Sequence, residues 1–402
     1  MSNSQAFWEE KTIGDIVSVK RGYDLTSQQR KSGNVPVYGA AGQNGYHNES
    51  KAEAPGIVIG RSGGSFGKVN FVKQKYWPHN TAMYVTDFKG NDPKFTYYLL
   101  KLLDFSALNS GSAQPSLNRN YLYPVRIRVP DPEEQARVGR LLGRLDEKIE
   151  LNNKINAELE AMAKLIYDYW FVQFDFPDAN GKPYKSSGGK MVYNETLKRE
   201  IPDGWIDGNV LEVSDLLGGG TPTKKNPDFW GGEIPFFTPT DSNGNVFSFT
   251  TDDYITQAGL KGSSTKLFEK NTVFITARGS VGRLVLNAVP MAMNQSCYAF
   301  KAKPKYSYSY LFFLIKELIH HLEVKATGSV FNSIVSNDIE WTNLALPKAD
   351  ETVQKYAEIV EPLFERIYQS TKEILELEKL RDWLLPMLMN GQVTVKDAQK
   401  SQ

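Results

Sequence analysis

Gly64-Ser65-Phe66-Gly67-Lys68-Val69 is answered 215 residues later by Gly279-Ser280-Val281-Gly282-Arg283-Leu284. Neighbouring segments repeat in the same order. Asn80-Thr81-Ala82-Met83-Tyr84-Val85 matches Asn294-Gln295-Ser296-Cys297-Tyr298-Ala299 at an offset of 214. Ser110-Gly111-Ser112 matches Thr327-Gly328-Ser329 at 217, and Val129-Pro130 answers Leu346-Pro347 at the same offset. Upstream, Val35-Pro36-Val37-Tyr38 pairs with Ile234-Pro235-Phe236-Phe237 at 199. Stacked repeats have periods of roughly 20–50 residues, so a period this long marks a duplicated domain.

Each copy closes on Val-Pro or Leu-Pro and runs into a long helical pattern. The first helix is expected over Pro132 to Phe171, with Asp131 as N-cap and proline in the first turn. Its apolar seam is Val138, Leu142, Leu145, Ile149, Asn152, Asn156, Leu159, Ala163, Ile166 and Trp170. The second is expected over Glu351 to Leu385, with seam residues Val353, Tyr356, Val360, Leu363, Ile367, Ser370, Ile374, Leu377, Arg381 and Leu384. Pro362 should kink or restart it. Forty helical residues span roughly 60 Å, and stripes of that length point to a coiled-coil surface. Asn152 and Asn156 read as polar register-setters that Ser370 could face.

The bodies of the copies hold short β-rich runs, among them Gly56–Ile59, Arg126–Val129 and Thr272–Thr276, separated by Gly/Ser/Asn turns. One helix-like segment sits in each, Phe95 to Leu103 and Tyr308 to Leu322. Asp178 to Gly189 is rich in Gly, Ser and Lys and reads as a linker. The domains expected are therefore 1–130, a helical region 131–175, a second body 176–347 and a second helical region 348–395.

Of 402 residues, 41% are hydrophobic and 23% charged, the usual globular mix. Charge is uneven. Residues 1–130 carry 16 Lys and Arg against 9 Asp and Glu, whereas 131–175 carry 6 against 10. A basic block beside an acidic one suits a polyanion on one side and a protein on the other. No apolar run approaches the roughly 18 residues of a spanning helix. Met1-Ser2-Asn3-Ser4 has no export signal, which points to the cytoplasm. One cysteine, Cys297, excludes a disulfide framework.

Catalytic patterns fail one by one. The loop Arg61 to Lys68 lacks the P-loop glycine at Ser62 and the hydroxyl residue at Val69. It retains backbone amides and a basic end that suit a nucleic-acid phosphate. Asn226-Pro227-Asp228-Phe229 resembles an amino-methyltransferase motif but differs at its third residue. Pro130-Asp131 with Asp146-Glu147-Lys148 formally meets a loose nuclease pattern, yet Asp146 and Lys148 belong to the seam helix and read as surface charges. The four histidines, His47, His79, His320 and His321, form no zinc-like spacing. Cys297 reads as core.

Taken together, the chain resembles the specificity subunit of type I restriction–modification systems. Resemblance is carried by Gly218-Gly219-Gly220-Thr221-Pro222, Trp230-Gly231-Gly232-Glu233-Ile234-Pro235-Phe236, Ala277-Arg278-Gly279-Ser280-Val281-Gly282, Asn294-Gln295-Ser296-Cys297, Tyr169-Trp170-Phe171-Val172 and Leu380-Arg381-Asp382-Trp383-Leu384-Leu385-Pro386. The first body departs from it, with Lys20-Arg21-Gly22-Tyr23 at the Gly-Gly-Thr-Pro position. The resemblance implies an α+β protein: two α/β target-recognition domains in tandem repeat, separated by two long antiparallel coiled-coil helices, with pseudo-twofold symmetry. It also implies a non-catalytic chain. Each domain would bind half of a bipartite, asymmetric double-stranded DNA site. The helices would set the spacer and dock two modification (methyltransferase) subunits, with restriction (translocase/endonuclease) subunits as further partners. No cofactor is expected in this chain; S-adenosylmethionine is expected on the modification subunit.

Candidate contacts sort by chemistry. Lys20, Arg21, Lys68, Arg119, Lys224, Lys225 and Arg283 suit phosphates. Arg61, Asn44, Gln114, Asp241, Arg278 and Asn332 carry side chains that read base edges. Tyr23 and Phe331 offer faces to bases, and Ser65 and Ser280 sit in the Gly-rich loops. Leu142, Leu145, Ile149, Asn152, Asn156, Ile166, Leu363, Ile367, Ile374 and Leu384 are the helix-seam and partner candidates. Competing readings are a stand-alone bipartite DNA-binding regulator and a single-chain nuclease.

Overall fold

The computed structural model describes residues 8–111, 115–325, 333–348 and 350–395. They fall into two compact units, one reaching to Glu150 and resuming at Leu375, the other Leu151–Ile374. Each contains one body and part of each long helix.

The first long helix is Pro132–Tyr167, ending in a single π turn at Asp168–Val172. Asp131 caps it as expected, its Oδ1 accepting from the Glu133 and Glu134 amides at 3.0 Å. The second, Asp350–Met389, runs without interruption through Pro362, so the restart expected there does not occur. Pro362 and Glu358 are both exposed, which leaves the carbonyl that loses its donor open to water.

Within the second unit, Asn152 Nδ2 donates to Glu373 Oε2 at 2.8 Å and Asn156 Nδ2 to Thr371 Oγ1 at 3.1 Å. Numbers rise along one helix as they fall along the other, so the pair is antiparallel. Ser370 is not the partner expected; its buried hydroxyl has no hydrogen bond. Val360, Phe364, Ile367 and Ile374 are buried, as are Val138, Leu142 and Ile149 in the first unit. Leu145, Ile166, Leu363 and Leu384 are only half-buried, with Phe364 and Leu385 taking the deeper positions beside the last two. A straight helix of 3.6 residues per turn drifts from a strict seven-residue seam, which shifts the buried set by one position.

Both bodies have the same strand order. In the first, a sheet runs Ser18–Arg21, Ala82–Asp87, Gly56–Gly60, Val69–Val72. In the second it runs Ser214–Gly218, Cys297–Ala302, Val273–Thr276, Leu284–Asn287, with Phe247–Ser248 added in parallel at the edge. A three-stranded sheet follows the same rule: Gly42–His47, Val35–Gly39, Trp77–Pro78 in one body, Asp253–Ile255, Trp230–Phe237, Ala292–Met293 in the other. In each the last pair is parallel. The central strands, Gly56–Gly60 and Val273–Thr276, are buried along their whole length, covered on one side by the body helix, Pro93–Lys101 or Tyr308–Lys325. The duplication in sequence is thus a duplication of topology.

In the first unit the body helix approaches the long helix closely because Gly139 and Gly143 lie between them. A Cβ on Gly139 would stand 2.5 Å from Asp92 Oδ1, and one on Gly143 2.6 Å from Lys94 Nζ. Asp92 caps the body helix, accepting from the Phe95 amide. Further along, Asp146 Oδ2 accepts from the Tyr98 hydroxyl at 2.5 Å and Oδ1 from Arg381 Nη1 at 2.8 Å. Asp146 is therefore the junction of three helices and not the surface charge read from sequence.

The second unit reverses the chemistry. Tyr167 on the long helix donates to Glu317 on the body helix at 2.7 Å, amid Phe171, Tyr310, Phe313 and Tyr356. The expected linker at 178–189 is built into this unit. Ser186 donates from N and Oγ to the Asp175 carboxylate, and Tyr184 and Trp205 stack on Phe176. Aromatic contacts outweigh the loop-like composition.

Candidate nucleic-acid interface

Five loop segments of the first body meet at one end of its four-stranded sheet, tied by main-chain bonds. Gly22 N donates to Ala82 O, Tyr23 N to Pro78 O, His79 N to Tyr38 O, Arg61 N to Thr81 O and Leu117 N to Arg61 O. The turn between is closed by Gly67 N on Gly60 O, and Gly63 and Gly67 both have positive φ.

The second body repeats five of these six bonds. Gly220 N donates to Met293 O, Asn294 N to Phe237 O, Ala277 N to Ser296 O, Ile334 N to Ala277 O and Gly282 N to Thr276 O. Gly279 and Gly282 carry the positive φ values. Gly22 and Gly219 occupy one position. A Cβ on Gly22 would lie 2.3 Å from His79 O, and one on Gly219 2.2 Å from Asn294 O. The first body thus keeps the one glycine that the backbone crossing requires.

This pairing assigns equivalents that sequence matching places one residue off. His79 corresponds to Asn294, and Asn80 to Gln295. Both His79 Nδ1 and Asn294 Oδ1 accept from the amide two residues on. Asn80 Nδ2 donates to Asp24, while Thr221 donates to Gln295 Oε1, so each body carries the same cross-loop link with different side chains. Likewise Ser62 corresponds to Arg278, Tyr23 to Gly220 and Lys68 to Arg283.

The candidate residues divide accordingly. Lys68 Nζ donates to Ala41 O and Arg283 Nη1 to Ser242 O, each at 2.8 Å, so both pin the same loop while remaining exposed. Asp241 is committed to its own turn: it accepts from Thr238 N and Oγ1 and from Asp252 N. Tyr23 is exposed on the first cluster, its hydroxyl 3.2 Å from that of Tyr84 and its ring edge-on to Trp77. Burial, with the hydrogen bond to Tyr23, pushes the Tyr84 phenol up to about 12.

Lys20, Arg21, Asn44, Arg119, Lys225, Arg278 and Ser280 are exposed, and Ser65 is half-buried. Arg61 is also half-buried, its Nε without a partner. Lys224 lies over the Trp230 ring. Gln114, Phe331 and Asn332 lie outside the described residues. Asp24 was not singled out from sequence, and Thr221 and Gln295 stood there within family signatures but not among the candidate contacts; the extra glycines around Gly219 hide the exact register with Gly22.

Large apolar side chains are exposed on the long helices, Leu151, Met162 and Leu165 on the first, Ile359, Leu380 and Trp383 on the second. Among the described residues no group of three or more His, Cys, Asp and Glu could hold a metal, and no helix is long and apolar enough to cross a membrane.

The sequence profile described as "Type I restriction modification DNA specificity domain" matches residues 6–161 and 202–379, once for each copy of the repeat. The chain belongs to this specificity family. It is 26% identical over 422 residues to the type I restriction enzyme MjaIX specificity subunit of Methanocaldococcus jannaschii, covering 97% of this chain and 94% of that one. It is 28% identical over 296 residues to the EcoR124I/EcoR124II specificity subunit of Escherichia coli, covering 71% and 66%. In fold it is similar to the crystal structure of the type I system S subunit from M. genitalium, with TM-score 0.63, 18% identity, and 96% and 97% of the chains covered. The chain is thus a type I restriction–modification specificity subunit.

Proposed function

We propose that each body reads one half of a bipartite, asymmetric double-stranded DNA site, that the helical regions set the spacing between halves, and that they dock two modification subunits, with restriction subunits as further partners. One observation carries this reading: the same main-chain scaffold presents different side chains in the two bodies, Ser62 against Arg278, Asn80 against Gln295, Asp24 against Thr221. Because backbone bonds hold the loops, exposed side chains can change without changing the fold, as two unlike half-sites require. Base edges are distinguished by such side chains in the major groove, while Lys20, Arg21, Lys68 and Arg283 supply positive charge for phosphates. Exposed Leu165 and Trp383 support helices that are covered by protein.

Co-expression with a type I modification subunit, followed by native mass determination, tests the assembly. Two modification chains per copy of this chain are expected. A chain that stays alone and binds DNA selectively by itself would replace this reading with a stand-alone regulator.

A further inference from the structure

The two bodies differ in charge where their scaffolds agree. Residues 1–130 carry 16 Lys and Arg against 9 Asp and Glu, whereas 176–347 carry 17 against 17. The contrast is sharpest on one edge strand. Ser18–Arg21 pairs antiparallel with Ala82–Asp87, Lys20 opposite Tyr84 and Arg21 opposite Met83. Ser214–Gly218 pairs in the same way with Cys297–Ala302, Leu217 opposite Ala299 and Gly218 opposite Tyr298. Gly22 and Gly219 make the same close crossing immediately afterwards. Lys20 therefore corresponds to Leu217, and Arg21 to Gly218.

Lys20 and Arg21 are both exposed, at the sheet end where the first loop cluster converges. Lys20 forms no ion pair among the described residues, and Arg21 stands 3.8 Å from Asp24, itself exposed. Such a pair is loose and screened by salt, so the guanidinium stays open to a stronger anion. In the second body Leu217 packs partly on the core and Gly218 has no side chain. Other cations there do not restore the balance. Arg283 only matches Lys68. Arg278 stands in place of Ser62, but Arg61 and Arg119 are answered by Ala277 and Ser336. Lys224 lies over the Trp230 ring, and Asp228 and Asp241 occupy the neighbouring turns. Phosphate contacts hold DNA whatever its sequence, through the counterions they release. We infer that the first body is the electrostatic anchor of the DNA complex, with Lys20 and Arg21 holding backbone phosphates beside its half-site through a contact that the second body lacks. Random DNA is held by the same contact, because a phosphate carries no sequence. The inference rests on the proposed reading of the bodies as half-site readers.

The test is the salt dependence of binding to a random-sequence duplex, with the purified complex of this chain and its modification subunit. Each phosphate contact steepens the log–log slope by about 0.9, a factor of about 3.5 in affinity between about 50 and 200 mM salt. The double variant Lys20→Gln with Arg21→Gln should bind more weakly at low salt and lose about tenfold less affinity than wild type over that range. Gly218→Arg, at a position where a Cβ meets nothing within 4 Å, should lose about 3.5-fold more than wild type. In a selection from a random duplex library, the double variant should keep the base preferences of wild type. A double variant with wild-type salt dependence overturns the anchor and leaves the pair as guards of a sheet edge. A preference lost at one base pair overturns the phosphate assignment in favour of base reading. A Gly218→Arg variant with wild-type salt dependence overturns the equivalence of the two edge strands towards DNA. A wild-type complex that enriches no bipartite sequence overturns the half-site reading itself.

Discussion

Arg381 and Tyr98 donate to the same carboxylate, Asp146, from the second long helix and from the body helix of the first unit. Tyr98 is buried and Arg381 largely so. Removing that carboxylate leaves the Tyr98 hydroxyl without its acceptor and the Arg381 guanidinium with Asp382 as its remaining partner. Asp146→Ala should cost about 2–4 kcal/mol, whereas Tyr98→Phe should cost about 1 kcal/mol. Urea unfolding of the isolated variants checks this; equal, small effects would show the junction to be ornamental.

Gly219 and Gly218 are neighbours with opposite expectations. A Cβ on Gly219 meets backbone oxygens at 2.2 and 2.5 Å, while one on Gly218 meets nothing within 4 Å. Gly219→Ala should destabilise by more than about 2 kcal/mol, and Gly218→Ala by less than about 1 kcal/mol. Gly22→Ala should behave like Gly219→Ala, since it crosses the same carbonyl pair in the first body. Thermal melts of the three variants decide the matter.

These two positions also show what could be read from sequence. The Gly-rich turns and the Pro-ended strands were legible because positive φ and strand ends restrict residue choice in both copies. The helix seam was legible through its period, and its one-position error at Leu363 and Phe364 is the drift of a straight helix. Lys20–Tyr23 could be placed opposite the Gly-Gly-Thr-Pro segment, but the register of Gly22 with Gly219 was hidden because only one residue of that segment is demanded by packing. Asp146 was misread because its partners lie 48 and 235 residues away, on other elements. Among the candidate contacts, Asp241 and Lys68 already have bonds within the protein that their residue types alone could not announce.

Glu361 should make stability fall with rising pH. Burial, partly offset by a hydrogen bond to Ser307, holds its carboxyl above the usual carboxylate range. A group with a raised folded pKa binds its proton more tightly when folded. Its favourable contribution is therefore present below the unfolded value and lost as pH rises through the folded one. Glu361→Gln should melt higher than wild type at neutral pH, and the two should converge in acid where both carry no charge there. A difference of opposite sign would refute the assignment.

Cys297 is the only cysteine in the chain, buried at 1% exposure, with its thiol pushed up to about 12 mainly by burial. A thiolate is the reactive form. A disulfide reagent at mildly alkaline pH should leave the native protein unlabelled and titrate one thiol per chain in guanidinium. Rapid native labelling would contradict the packing of the second body.

Two unlike readers on one chain should together select a bipartite DNA site. The most direct measurement is the affinity of the complex with its modification subunit for a duplex carrying both half-sites, compared with random-sequence competitor and with duplexes carrying either half alone, at one fixed salt concentration. The full site should win over random DNA by about 10³-fold or more, with each single half-site far weaker. Equal affinity for all four duplexes would contradict it.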